Sequence, residues 1–556
     1  MPYFPLTGNK IWPVVSAHPN SGLTQALSFL LVIITGNTRT MKYSCLRPLL
    51  LPVKPKKRRL PAYEKMDLCE KRRHKPVFGG LGRNVACDPV QLSHVALPDA
   101  LLEKFVKTSN AYAKQRLPDH KQQADITCAE ILIFISIYYY MGLVKLPSKR
   151  DYWRVPDGFW PVHLITAHMN RNRFEYIWRN LHLTAEQPNN PPGGDDDDSD
   201  DDEEGDHVDD EGDHVGEEDP VDPENPEGLA EPAETEVWYQ KAKPLLDHVA
   251  KVSKRFCIRP GFCNSIDEQM KKFKGRSAQT VRMRNKPIKE GFKFFALCDA
   301  TEGYVYAFTP AGRLEETHIN DTVINLAKQL PRRDKYYYVI GMDNYFTLPK
   351  AIAGCREANV AVVGTARGRR GWPPKEIKEV TDDRFNTLYW LNDALNFKIF
   401  RWVDNNVVTM VSTLHDGTEK ILRNRRRPRT TITNRDHVDK VWGDNPVKGI
   451  EIPTVVDDYN HWMLGVDKSD QLIAYYRPAV RVRRYWMAMM FHGLDILRVN
   501  LYIVYKNKTA DDPPRDHKSF LVEYISALLN RAIFQIYRQT RSSSPVVPKT
   551  SPPGKH

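Results

Sequence analysis

At 556 residues, 41% hydrophobic and 10% aromatic, the chain is long enough for several domains with an ample core in each. Its formal charge of +12 is unevenly spread. Residues 195–236 hold 23 of the 69 acidic residues and no Lys or Arg, and the remainder sets 81 basic residues against 46 acidic ones. A surplus of that size points to a polyanionic partner, nucleic acid, and away from a membrane surface, for which no basic amphipathic helix stands out.

Residues 1–95 are Pro-rich and basic with little sustained periodicity, which predicts disorder. Within them "ALSFLLVIIT" is about half a membrane span and lacks the basic n-region of a signal peptide. Met41 follows shortly, so residues 1–40 read as an upstream extension outside the folded protein. The blocks "KPKKRRL" (54–60) and "EKRRHKP" (70–76) are compact Lys/Arg runs of the kind that nuclear import receptors read, and a nuclear protein is expected. Eight cysteines are scattered without a CxxC pair, which suits a reducing compartment. Nothing near Cys257 and Cys263 completes a metal site, so no zinc site is predicted.

From about residue 96 the pattern becomes helical: "DALLEKFVKTSNAYAKQR", "TCAEILIFISIYYYMGLV" and "RNRFEYIWRNLHL" each place apolar residues at helical spacing. The acidic run at 190–236 repels itself and is expected to be an unfolded loop, after which "VWYQKAKPLLDHVAKVSKRFC" resumes the helical signal. Strands follow: "NSIDEQM", "GFKFFALCDA", "GYVYAFTP", "KYYYVIGMD" and "VAVVGTA", with helices predicted at "DTVINLAKQL" and "TLPKAIAGCREA". Three successive strands, then helix, strand, helix, strand, describe a mixed α/β sheet covered by helices. Residues 369–440, with "TLYWLND", "NFKIFRWVD", "VVTMVST" and the basic end "RNRRRPRTT", read as an inserted β-rich module. "YWMAMMFHGLDILRVNLYIVYKN" is apolar on nearly every face and predicts a buried helix. Asp495 inside it needs a partner, for which an arginine is expected. A final helix and a disordered tail (541–556) complete the chain.

The stretch "YNHWMLGVDKSDQL" carries Asp467 and Asp470 at the start of a predicted helix. One reading is capping, since acids are favoured at a helix N-terminus. The other is a metal site shared with Asp267 of "NSIDEQMKKFKGR" and Asp343 of "YYYVIGMDNYFT", both at strand ends. Each of these has a bland reading too: Asp343 as a turn cap, Asp267 as a partner of Lys274 or Arg276. Clustered together, the carboxylates would require a proton or a cation. Oxygen-only ligands suit Mg²⁺ or Mn²⁺, and two such ions are a device for phosphodiester chemistry. Lys271, Lys272, Lys274 and Arg276 then read as phosphate contacts.

The blocks "IDEQMKKFKGR", "MDNYFTLPKAI…VVGTARG" and "PTVVDDYNHWMLGVDKSDQL…YW…LDILRVNLYIVY" resemble, in order, those of the piggyBac family of DNA transposases, over most of residues 96–540. The resemblance implies an RNase H-like core (263–368 and 441–470) that is interrupted by the β-rich insertion (369–440). A helical dimerisation and DNA-binding domain would be built from 96–262 and 471–540. It implies catalytic Asp267, Asp343 and Asp467, with Asp470 as a further ligand of two Mg²⁺ or Mn²⁺ ions. The implied reaction is cut-and-paste transfer of double-stranded DNA from transposon ends to a TTAA target by a homodimer. Lys274, Arg276, Arg367, Arg369, Arg370, Arg481, Arg483, Arg484 and Trp486 are the implied DNA contacts. Two departures accompany the match. No cysteine follows Cys355, so the Cys-rich zinc domain that usually ends family members is not expected in this chain. Leu464-Gly465 stands where the family has Gly-Gly, which predicts an altered turn. An active transposase or nuclease and a domesticated nuclear DNA-binding protein without catalysis are therefore the two functional expectations.

Overall fold

The computed structural model describes residues 66, 74–79, 87–154, 162–184, 237–283, 286–313, 318–367, 372–373, 377, 388–392, 395–403, 407–432, 434–508 and 516–542. The acidic tract, the "KPKKRRL" block and most of the C-terminal tail lie outside them. Two elements lie within the N-terminal region expected to be disordered: β1 (Val77–Phe78) and α1 (Pro89–Ala96). The Asp88 side chain caps α1 by accepting from the Gln91 N–H at 2.9 Å, and Pro89 fills the first turn, where its missing donor costs nothing. Both elements are too short to leave a periodic signal.

The helical layer continues with α2 (Asp99–Arg116), α3 (Cys128–Leu143), α4 (Arg171–Asn180) and α5 (Lys243–Phe256). Thr127 and Glu130 form a capping box at the start of α3, and Arg173 of α4 grips the same Glu130 carboxylate at 2.6 and 2.9 Å. Strands β2 (Cys257–Arg259), β3 (Cys263–Lys272), β4 (Val281–Arg282), β5 (Glu290–Asp299) and β6 (Val305–Ala311) follow. Then come α6 (Ile319–Lys328), β7 (Tyr338–Met342), α7 (Pro349–Glu357) and β8 (Val360–Thr365). In the sheet β6 pairs β5, β5 pairs β3, and β3 runs parallel to β7, which runs parallel to β8. This is the mixed RNase H-like arrangement: an antiparallel meander whose first strand receives two parallel strands on its other side, each delivered by a helix.

The strands of the segment read as an inserted β-rich module continue the central sheet. Strands β9 (Leu388–Asn392), β10 (Lys398–Val403) and β11 (Val407–Ser412) extend the same sheet, because β11 pairs antiparallel with β8. Alternation within each strand is visible in the sequence, but the identity of its neighbour is not. Only β12 (Lys420–Arg426) leaves this sheet, pairing with β13 (Val447–Pro453) across α8 (Arg435–Trp442).

The chain then returns to the centre of the sheet through α9 (Thr454–Trp462) and α10 (Gly465–Tyr475), and ends in α11 (Tyr485–Lys508) and α12 (His517–Ser542). Helix α11 is long and apolar enough to cross a membrane by composition, yet it is buried along nearly its whole length inside the fold. Asp495, wholly buried on α11, pairs with Lys271 of β3 at 3.0 Å, while Arg498 lies at 3.9 Å and the Tyr138 hydroxyl at 3.4 Å. Lysine, not the expected arginine, is the closest partner. This also removes Lys271 from the expected phosphate contacts, since its side chain is buried against α11. Breaking such a buried pair from one side leaves an uncompensated charge. Lys271→Met is therefore expected to cost roughly 3–5 kcal/mol in chemical denaturation, and Lys271→Met/Asp495→Leu to recover most of that loss.

Candidate active site

Three residues of β3 share one face: Ser265, Asp267 and Gln269. Ser265 accepts from the Val466 N–H at 3.0 Å, and the Gln269 amide donates to Ser469 at 3.2 Å and to Asp470 at 3.0 Å. Both ends of that face are pinned to the first turns of α10, and Asp267 lies between them, facing the turn that carries Asp467. The parallel register pairs Ile266 with Met342 and Met342 with Gly364. The next residues along are Asp267, Asp343 and Thr365, and Asp343 is close enough to feel the charge of Asp267.

Two glycines make this approach possible. A Cβ on Gly341 of β7 would meet the backbone of Trp462 and Met463 at 2.8 Å, and one on Gly465 would meet Ser265 Oγ at 2.5 Å. The corner between α9 and α10 thus rests directly on the sheet. Leu464, where the family has glycine, has φ −81° and ψ 1° and is 37% exposed, so a side chain fits there and the backbone needs no glycine. Capping does not account for the acids of α10: the helix begins at Gly465 behind Leu464 with no side-chain cap, and Asp467 and Asp470 fall inside it.

Asp343 does serve its turn, accepting from the Tyr345 N–H at 2.9 Å through one carboxylate oxygen. Asp267 accepts from the Glu268 N–H at 2.7 Å. Neither Lys274 nor Arg276 pairs with it; both are exposed beyond β3. Burial pushes the Asp267 carboxyl up to about 7, opposed by the Lys286 ammonium and reinforced by Glu268. Burial likewise pushes Asp470 up to about 7, against the pull of Arg477 and Gln269, and the charge on Asp467 adds to the rise. Asp343 is raised by burial first, and the charge on Asp267 adds to it.

Two groups at this site carried no signal in the sequence. The Tyr459 hydroxyl, 3.5 Å from Thr365 Oγ1, is held protonated by burial and by the charges of Asp343, Asp267 and Asp467. Lys286, on the turn between β4 and β5, lies 3.6 Å from Glu268. Burial works against its charge, but Asp267, Glu268, Asp467 and Asp470 together outweigh that and raise its pKa. In the sequence it is one of several basic residues in a turn. The donor set of the aspartates is all oxygen, and the raised carboxyls are ones that a hard cation would relieve, so the residues fit Mg²⁺ or Mn²⁺ by chemistry. Among the described residues no three His, Cys, Asp or Glu side chains converge closely enough to hold an ion.

The basic residues expected at DNA divide in two. Lys272, Lys274, Arg276, Arg481 and Arg483 are exposed. Their two segments touch, since a Cβ on Gly275 would reach the Arg483 carbonyl at 2.5 Å. Arg367 is exposed two residues beyond β8, near the same sheet end as Asp343. Arg484 instead donates to the backbone carbonyls of Trp178 and Arg179 at the end of α4. Trp486 is 2% exposed, packed against His182 and under the Arg484 guanidinium. Its ring serves the core and offers no face to a base. Arg369 and Arg370 lie outside the described residues.

A carboxyl near 7 when folded and near its ordinary acidic value when unfolded binds more protons in the native state between those limits, so stability falls as pH rises from about 4 to about 7. Metal-free protein should therefore melt at a lower temperature at pH 8 than at pH 5. Asp470→Asn is expected to flatten that slope and to stabilise by roughly 1–3 kcal/mol at pH 8 but not at pH 4, as read by thermal melts across pH.

The chain is similar to several known proteins. The family model described as Transposase IS4 matches residues 88–502. PiggyBac transposable element-derived protein 3 of Homo sapiens is 24% identical over 447 residues, 78% of this chain and 63% of that protein. PiggyBac transposable element-derived protein 2 of Homo sapiens is 22% identical over 480 residues, 82% of this chain and 69% of that protein. The human chimeric ERCC6-PGBD3 protein is matched at 24% identity over 35% of its length. The chain thus spans about two thirds or less of these curated relatives. The fold superposes with a TM-score of 0.61 at 18% identity on the cryo-EM structure of the piggyBac transposase synaptic complex with hairpin DNA, covering 86% of this chain and 90% of that one. The chain belongs to this transposase family, in its piggyBac branch.

Proposed function

We propose that this chain is the core of a metal-dependent DNA transposase that cuts and rejoins double-stranded DNA at TTAA sites. The observation that carries the reading is the closeness of Asp267 on β3 to Asp343, one residue beyond the adjacent parallel β7, beneath a helix that delivers Asp467 and Asp470. On this reading Asp267, Asp343 and Asp467 hold two Mg²⁺ or Mn²⁺ ions, with Asp470 assisting. Those ions would supply activation of the attacking hydroxyl and stabilisation of the leaving oxygen. The protein's own residues do the rest. Asp343 is oriented by its bond from Tyr345, and Asp470 by its bond from Gln269. Lys272, Lys274, Arg276, Arg481 and Arg483 form a basic face that would hold phosphates without reading sequence. Arg367, at the strand ends, would hold a phosphate nearer the carboxylates. The structural relative is described in complex with hairpin DNA, which supports DNA as the partner. We propose further that the protein works in the nucleus as a homodimer.

A second reading is a DNA-binding protein derived from a transposase and working without cleavage. It is favoured by the curated relatives, which are named as derived from the transposable element. The two readings separate in one experiment, Mn²⁺-dependent cleavage of a plasmid carrying the genomic DNA that flanks this reading frame. On the transposase reading, nicks appear at TTAA boundaries. Asp267→Ala, Asp343→Ala and Asp467→Ala each then abolish them with little loss of DNA affinity, while Asp470→Ala reduces them. Salt-dependent binding of the same DNA without cleavage by the wild-type protein would favour the second reading.

The basic face makes its own prediction. Replacing Lys274 and Arg276 together by Ala should weaken duplex binding for all sequences alike and lower the salt dependence of the affinity by about two phosphate contacts. Titration of labelled duplex at several salt concentrations measures this.

A further inference from the structure

Lys286 is placed differently from Lys271 and Arg477, and from Lys293, which also feels Glu268 but lies over the rings of Phe295 and Tyr345. Lys271, further along the same face of β3 as Asp267, is committed to the buried Asp495, and Arg477 bears on the cluster from the side of Asp470. Lys286 sits on a short turn between β4 and β5, closed by the Met283 N–H donating to the Lys289 carbonyl at 2.7 Å. From there its ammonium reaches Glu268 at 3.6 Å and feels Asp267, Asp467 and Asp470 as well. One ammonium thus answers four acids on two different elements. Its side chain keeps 34% of its surface exposed. A compact charge on a flexible four-carbon stem can therefore leave the cluster without unpacking the core.

We propose that Lys286 is the resident counter-ion of the acidic cluster and competes with a divalent cation for it, so that metal loading requires Lys286 to withdraw. The inference rests on the metal-binding reading of Asp267, Asp343 and Asp467. A single positive charge leaves the cluster negative, and a doubly charged ion answers it better. Both together would set like charges close to one another. Withdrawn from the cluster, the ammonium is free to meet a phosphate of bound DNA. Lys286 in this role is a positioning residue: it decides when the carboxylates are available and does no chemistry itself.

The test is Mn²⁺ binding by the full-length, metal-free protein, followed by electron paramagnetic resonance. The acidic tract binds cations of its own, so the site is counted as the binding that Asp267→Asn removes. Lys286→Gln, which keeps length and loses charge, is expected to bind Mn²⁺ about tenfold tighter at that site, and Lys286→Arg to bind as the wild type does. In metal-free buffer at pH 8, Lys286→Gln should also melt below the wild type, and Mn²⁺ should close that gap. Equal or weaker Mn²⁺ binding by Lys286→Gln, with the Asp267-dependent site intact in the wild type, overturns the role of Lys286 and leaves the metal reading standing. Mn²⁺ binding that Asp267→Asn does not change at all overturns the metal reading and this proposal with it.

Discussion

The backbone of the corner between α9 and α10 lies against the middle of the central sheet, and the site exists because of that contact. Side chains at Gly341 or Gly465 would hold the two layers apart. With hydrogen there, the Val466 N–H reaches Ser265 and the first turns of α10 bring their acids over β3. The rest follows from sheet geometry. Parallel pairing brings the carboxylate on one strand close to the one just beyond the next, and helices on the outer faces keep water from diluting their charges. Several acids in one half-buried place are costly, and the protein meets the cost with raised proton affinities and one adaptable ammonium.

Much of this was legible in the sequence because the signals were local. β3, β5, β7 and β8 showed themselves as short β-branched runs, and α11 as an apolar stretch with no polar face. Asp343 was conspicuous as an acid at the end of the buried run YYYVIGM. The family resemblance and the α/β fold stood on such features together. What the sequence withheld was pairing between distant segments. Alternation marks β9, β10 and β11 as strands but says nothing of which edge they join, so their continuity with β8 was hidden. Asp495 announced a need for a positive partner, yet lysine and arginine satisfy that need equally on paper. Lys271 looked like a surface cation because it follows an acid and precedes more basic residues. Strand alternation then turns it to the covered face that it shares with Asp267 and Gln269, opposite to its exposed neighbour Lys272.

Trp486 and Arg484 show the same limit from the other side. A tryptophan beside a run of arginines is what a DNA-stacking site would contain, and also what a helix N-terminus packed on its neighbours would contain. The deciding fact is the position of α4, whose last carbonyls take up the Arg484 guanidinium, and of His182 just beyond it, which packs against the ring. No pattern within residues 477–490 encodes that contact. By contrast Leu464 looked like a defect against the family's two glycines, and the backbone there turns out to need no glycine at all.

The helical layer closes over very long separations in the chain. Tyr138 meets Asp495 across 357 residues, Arg531 donates to the Ser93 carbonyl across 438, and Lys271 finds its counter-charge 224 residues downstream. Contacts of that span form late and make folding slow. During synthesis the apolar α3 and the Lys271 end of β3 must wait for α11 and α12 to emerge, exposing a sticky surface and an unpaired lysine to other chains in the meantime. A chain broken off before residue 485 would retain every strand that carries the site and still lack the layer that covers it. Truncations that remove α11 and α12 are thus expected to aggregate, a consequence of the order in which this fold is threaded.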